Sequence, residues 1–155
     1  MLSILTGLPA DKQNDKLFVQ QFISIVATRV ICGSSTMKMF CRIQNITPKI
    51  KIVFEKNNPV AKYEIENINL ATEGVITLNS CYKYLIGEKI EFSDNIVKLV
   101  ELFNKSQTIN FFIGLSQNKD SVNYEQFGLF TRKQIMEKII FYLKQKNKII
   151  NIFEI

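Results

Sequence analysis

Glycine placement constrains the fold of this 155-residue chain more than any other feature of its sequence. Four short apolar runs each end at a glycine, namely Gly7, Gly33, Gly74 and Gly114. Such runs are typical of strands that are buried on both faces, as in a parallel sheet. Segments with helical spacing of apolar residues lie between them, and strands that alternate with helices indicate an α/β protein.

The segments can be assigned one by one from periodicity and turn residues. Strands are predicted at 2–7, 29–33 and 108–114, with a closing strand at 148–155. Helices are predicted at 15–27, 35–43, 75–87, 93–103 and 132–145, with Asp11 or Asn14 capping the first and Ser34 or Ser35 the second. Residues 49–56 place Ile50, Ile52 and Phe54 on one face of a half-exposed strand, and 61–74 is predicted to be extended. The expected architecture has three layers: a mostly parallel, doubly wound (Rossmann-like) sheet flanked by helices.

Length and composition indicate an ordinary globular protein, and one domain spanning 1–155 is expected. No apolar run reaches the length of a membrane span, and the first residues lack the pattern of a signal peptide, so a cytoplasmic location is expected. The net charge is +6, but the lysines alternate with acids or follow a helix, so neither nucleic acid nor a membrane is an expected partner.

Cysteine and histidine content excludes several mechanisms. The three cysteines, Cys32, Cys41 and Cys81, lie in apolar surroundings and are expected to be buried free thiols. The chain has no histidine, which excludes a Ser-His-Asp triad, a Cys-His dyad and a His-ligated zinc. No metal or cofactor is expected.

The glycine-ended runs also predict a ligand site. If the strands are parallel, their ends share the carboxyl edge of the sheet, where open α/β sheets bind ligands. Gly33 is followed by Ser34, Ser35 and Thr36, which would place hydroxyls and free amides at a helix N-terminus, an anion-binding arrangement. The alternative is structural: glycine ends strands because turns need it, and serine caps helices.

Named catalytic motifs are absent. The loop lacks the Gly-Lys-Ser/Thr of a P-loop, and Lys38 stands where a cysteine-phosphatase loop would need arginine. Glu73 is the best isolated carboxylate for a base or a metal ligand, with Asp120 a weak partner candidate. An acid at the start of a helix that complements its dipole explains Glu73 equally well.

Several stretches, taken in order, resemble a known family: SILTGLPADKQNDKLFVQQFI, RVICGSSTMKMFCR, AKYEIENINLATEGVITLNSCYKYL and GLSQNKDSVNYEQFGLFTRKQIMEKI. They are similar to the C-terminal, non-phosphatase domain of stage II sporulation protein E-type serine phosphatases of anaerobic bacteria. The matching positions are Thr6, Gly7, Pro9, Cys32, Gly33, Thr36, Thr72, Glu73, Gly74, Thr77, Gly114 and Asn118. This chain departs from the usual pattern at Leu8, Ser34, Ser35 and Ser116.

The resemblance implies a regulatory or sensor domain without phosphatase chemistry of its own, because the aspartates of the phosphatase are missing. With the glycine pattern it predicts that a small anionic ligand, a nucleotide or phosphorylated metabolite, binds at Thr6, Gly7, Gly33, Ser34, Ser35, Thr36, Thr72, Glu73, Gly74, Gly114 and Asn118. A phosphatase domain or another copy of the chain is the expected protein partner. Two alternatives remain open: a small hydrolase that uses Glu73, and an interaction or dimerisation domain that uses exposed aromatics in 123–130.

Overall fold

A computed structural model describes residues 1–55, 58–116 and 124–155. The strands within these residues are β1 Leu2–Thr6, β2 Thr28–Cys32, β3 Lys49–Glu55, β4 Asn58–Glu64, β5 Leu70–Thr72, β6 Thr108–Ile113 and β7 Ile149–Glu154. The α-helices are α1 Asp15–Ser24, α2 Ser34–Gln44, α3 Val75–Leu85, α4 Asp94–Lys105 and α5 Arg132–Gln145. The predicted Asn118 and Asp120 lie outside the described residues.

Five strands form one parallel sheet in the order β5-β2-β1-β6-β7. The chain builds outward from β1 in one direction through β2 and β5, and in the other through β6 and β7. The order therefore reverses between β1 and β6, which is the topological switch point of a doubly wound sheet. The predicted three-layer, mostly parallel α/β fold is confirmed.

Helices cover both faces of this sheet because its strands are apolar on both sides. Leu2 and Ile4 of β1 pack in a cluster with α3, α4 and α5, whereas Leu5 packs with α1 and α2. All three side chains are 0% exposed. A strand that is buried on both faces needs an apolar sequence, and β1 is apolar apart from Ser3 and its last residue, Thr6.

The hairpin of β3 and β4 forms a separate two-stranded antiparallel sheet. The predicted strand is present, and Ile50 and Ile52 share one of its faces, but this face is exposed: Ile50 is 61% and Ile52 68% exposed. The alternation of apolar residues identified a strand, but no element of the described chain packs over that face. The predicted extended segment 61–74 divides into the end of β4 and the short β5.

Helix ends follow the sequence pattern in part. α3 ends just before Gly87, as predicted. α5 begins with a capping box between Thr131 and Gln134, which was not predicted. The N-cap of α2 is Gly33 instead of a serine, because Ser34 already lies in the helix. Asn14 precedes α1 without a side-chain cap, and Asp11 caps a short 3-10 turn before it.

Cys32, Cys41 and Cys81 are buried and free, as expected. Within the described ranges, no helix combines the length and the hydropathy that a bilayer crossing requires.

Candidate anion-binding site

A cleft of about 190 Å³ opens at the carboxyl edge of the sheet, beside the switch point. The loops after β1, β2 and β5 form its walls, as the glycine pattern predicts. Eight of the eleven predicted site residues line it: Thr6, Gly7, Gly33, Ser34, Ser35, Thr36, Glu73 and Gly74.

The cleft exists because two helices begin side by side. Gly33 and Gly74 are the N-caps of α2 and α3, and their φ angles are 126° and 106°. These backbone conformations are open to glycine and strained for other residues. The two loops are also tied together, since the amide of Gly33 donates to the carbonyl of Thr72 at 2.8 Å.

Both helix N-termini leave amides available in the cleft. The first regular bond in α2 is from Met37 to the carbonyl of Gly33, and in α3 it is from Leu78 to that of Gly74. The amides of 34–36 and of 75–77 therefore have no intrahelical acceptor, and no other group in the described residues accepts from them. Partial positive charge from two helix dipoles is thus concentrated at one place.

The threonine hydroxyls of the cleft are engaged within the protein. Thr6 Oγ1 donates to the carbonyl of Cys32 at 3.0 Å, and Thr36 Oγ1 donates to that of Gly7 at 3.2 Å. They hold the ends of β1, β2 and the start of α2 together. The side chains of Ser34 and Ser35 are exposed, so their hydroxyls are available to a ligand.

Two other predicted residues lie behind the cleft. Thr72 is the last residue of β5, 8% exposed, and pairs in register with Cys32. Burial raises the pKa of the Cys32 thiol to about 11, and contact with the Thr72 hydroxyl offsets part of that rise. Gly114 packs against the backbone of Leu8, where a Cβ atom would lie 2.2 Å from the carbonyl carbon. Both residues support the walls.

Arg132 is the main residue that the sequence predictions missed. It is the one basic residue among the described residues that line the cleft, and Tyr124 lies beside it. Its Nη1 is 3.4 Å from the carbonyl oxygen of Gly114. Burial lowers the pKa of the Arg132 guanidinium, and its electrostatic interaction with Tyr124 acts in the opposite direction. No carboxylate within the described residues forms an ion pair with Arg132.

The start of α5 holds Arg132 in place. Asn79 of α3 is 2% exposed, accepts from the amide of Phe130 at 2.8 Å and donates to its carbonyl at 3.0 Å. This two-way clamp fixes the segment just before Thr131 and Arg132. The sequence contained a signal for Arg132. A cation in the first turn of a helix is unfavourable because it opposes the helix dipole, so its presence there indicates a role other than stabilising the helix.

Glu73 lines the rim of the cleft with an exposed carboxylate. Among the residues that the structure describes, no group of three potential ligands could hold a metal ion. The geometry offers an anion several amides and a guanidinium, together with one carboxylate that could accept from a hydroxyl or amine of the same ligand. Leu8, Cys32 and Val75 complete the lining.

Comparison with protein-family models, with curated proteins and with solved structures gives no significant match.

Proposed function

We propose that this chain is a regulatory or sensor domain that binds a small anionic ligand, a nucleotide or a phosphorylated metabolite, in the cleft at the carboxyl edge. The observation that carries the proposal is the convergence on one cleft of two helix N-termini and Arg132, which forms no ion pair with a carboxylate of the described residues. A guanidinium that is partly withdrawn from water without a carboxylate is costly, and a bound anion would offset that cost.

The size of the cleft supports a phosphate group as the buried part. A volume of about 190 Å³ accommodates a phosphate with a few adjoining atoms and leaves a larger ligand partly outside. Ser34, Ser35 and Glu73 then meet the part of the ligand that follows the phosphate.

The phosphatase connection is also a proposal. The positions at which the sequence resembles the C-terminal domain of stage II sporulation protein E-type phosphatases include Thr6, Gly7, Cys32, Gly33 and Thr36, and these line the cleft. Glu73 and Gly74 do so as well. A ligand bound here would regulate a serine phosphatase domain, and the chain itself would perform no phosphatase chemistry.

The test is thermal unfolding in the presence of inorganic phosphate, phosphorylated metabolites and nucleotides. A ligand at 100 times its dissociation constant adds about 2.7 kcal/mol, which for this size is a Tm increase of roughly 5 to 10 °C. We expect Arg132→Met to abolish the increase and the exposed neighbour Lys133→Met to keep it. An increase that survives in Arg132→Met, or no increase with any of these anions, would refute the proposal.

A second candidate, a protein-interaction domain, has one observation in its favour. Phe127 is 69% exposed and Phe130 36%, within the segment for which exposed aromatics were predicted. Nearby, Phe141 is 64% and Ile86 48% exposed along a shallow groove of about 420 Å³ between α3 and α5. Contiguous apolar surface of this kind marks interfaces. Light scattering of Phe141→Ser against the parent chain tests it, because loss of an assembly would assign the interface to this groove.

A further inference from the structure

On the outer side of β7, the backbone groups have no partner among the described residues. β7 is the last strand in the sheet, and no other described strand pairs with its outer side. The amides of Ile149 and Ile155 donate inward, to the carbonyls of Gln107 and Ile113. Because direction alternates along a strand, the N–H and C=O groups of Ile150, Ile152 and Glu154 point away from the sheet.

This edge lacks several of the features that usually prevent pairing. β7 is six residues long, pairs with β6 in continuous register, and contains no proline. Ile149 is 55% and Ile152 43% exposed. A regular, apolar edge strand with open hydrogen-bonding groups is a template for another strand.

We propose that β7 pairs antiparallel with β7 of a second copy of this chain, which joins the two sheets into one. The sequence of the strand is complementary to itself in one register, in which Ile150 lies opposite the second copy's Ile152. Residues that then face each other match in character: Lys148 with Glu154, Ile149 with Phe153, Ile150 with Ile152, and Asn151 with Asn151. Two ion pairs close the ends of the interface, and cross-strand pairs of these kinds are stabilising.

Neighbouring registers do not match in this way. A register in which Ile152 faces itself places Ile150 opposite Glu154 and Asn151 opposite Phe153.

In the preferred register, the side chains of Asn151 and Lys148 have hydrogen-bonding groups available for the second copy. Asn151 already donates from Nδ2 to Asn110 Oδ1 at 2.8 Å, which leaves its own Oδ1 available at the twofold axis. Lys148 donates to the carbonyl of Asn104 at 2.8 Å and keeps two further N–H donors for a carboxylate.

Light scattering measures the assembly directly. An interface of a single strand pair is small, so we expect the mass to rise from 17.9 kDa towards twice that value between about 10 µM and about 1 mM. Ile152→Pro removes an N–H group that points away from the sheet, so the monomer should still fold, because an edge strand tolerates proline at such a position. The rise in mass should be abolished, because the second copy loses this donor. Glu154→Lys should weaken dimerisation roughly tenfold through like charges, and Lys148→Glu added to it should restore the dimer.

Cross-linking tests the register. Asn151→Cys places two thiols at a non-hydrogen-bonded antiparallel pair with a Cα separation of about 4.5 Å, which suits a disulfide. Under mild oxidation it should give several-fold more linked dimer than Ile76→Cys, an exposed control on α3. A monomer at about 1 mM overturns the proposal. The proposal is also overturned if Ile152→Pro still dimerises and Asn151→Cys does not cross-link. Such a dimer would use another surface, such as the α3–α5 groove.

Discussion

The Cα atom of Gly33 lies 3.0 Å from the point where a Cβ atom on Gly74 would stand. The loops before α2 and α3 therefore meet backbone against backbone, with no side chain between them. This contact brings two sets of free amides to the same cleft, and a helix N-terminus favours an anion by about 0.3–1 kcal/mol or more.

Gly74→Ala should separate the two helix starts. The new Cβ would collide with Gly33, and alanine is strained at a φ of 106°, so we expect a loss of about 2 kcal/mol or more in the free energy of unfolding, together with loss of anion binding. Gly87→Ala is the matched control, since Gly87 also has a positive φ but no atom lies within 4 Å of its Cβ position. Urea unfolding compares the two, and equal losses would show that the Gly33–Gly74 contact carries no special constraint.

Glu73→Gln should strengthen anion binding. The Glu73 carboxylate at the rim of the cleft repels a bound anion, and the repulsion energy through water is roughly 1 kcal/mol. Removing this negative charge should raise the affinity for inorganic phosphate about two- to fivefold. Calorimetric titration measures this, with the exposed Glu66→Gln as the control. If Glu73→Gln instead abolished tight binding of a divalent cation, the hydrolase alternative would be favoured.

Asn79→Leu should lower both the stability of the chain and its affinity for phosphate, although Asn79 does not line the cleft. Its side chain holds both backbone groups of Phe130 and also donates to the carbonyl of Val75 at 2.9 Å, so its loss should cost about 1–3 kcal/mol of unfolding free energy. Because the same clamp positions Arg132, phosphate affinity should fall as well. Asn104→Leu, at an exposed amide on α4, should change neither quantity. A stability loss with unchanged phosphate affinity would contradict the positioning role.

The buried thiols predict a pH dependence of stability. The pKa of Cys32 is about 11 in the folded chain, mainly through burial, against an ordinary value of 9.0. The native state then holds a proton that the unfolded state has released, so stability is full below pH 9 and falls as pH rises towards 11.

Cys32→Ala isolates this effect from the other titrating groups. The slope of the unfolding free energy against pH reports how many protons the chain releases on unfolding. Between pH 9 and pH 11, this number should be lower in Cys32→Ala than in the parent chain by up to one proton. Urea unfolding between pH 8 and pH 11 makes the comparison. Identical slopes in the two chains would show that the Cys32 thiol does not cause the loss of stability above pH 9. Burial also raises the pKa of Cys81, which continues the decline to higher pH.

Most of the fold could be predicted because local pattern and tertiary environment agree there. β1 and β6 read as continuous apolar runs since helices cover both their faces, and α5 was bounded correctly at Arg132 and Gln145. The exposure of Ile50 and Ile52 on β3 could not be predicted, because alternation shows which residues share a side of the strand and not whether anything packs on that side.

The cleft could be predicted as far as it is made of backbone. Gly7, Gly33 and Gly74 mark strand ends in the sequence itself, and parallel strands bring such ends together. Arg132 is 99 residues from Gly33 and reaches the cleft only through the packing of α5 on α3, which no local pattern encodes. The hydroxyl of Thr36 was expected to contact the ligand, whereas its partner is the carbonyl of Gly7.

Anion binding at the two helix starts is tested most directly by an amide NMR titration of the ¹⁵N-labelled chain with inorganic phosphate. If the cleft binds anions through the starts of α2 and α3, the amides of residues 34–36 and 75–77 should shift with a single saturable curve. The amides of β7 should stay unchanged, and Arg132→Met should abolish the response. Shifts that are uniform along the chain and do not saturate, or that persist in Arg132→Met, would refute anion binding at this cleft.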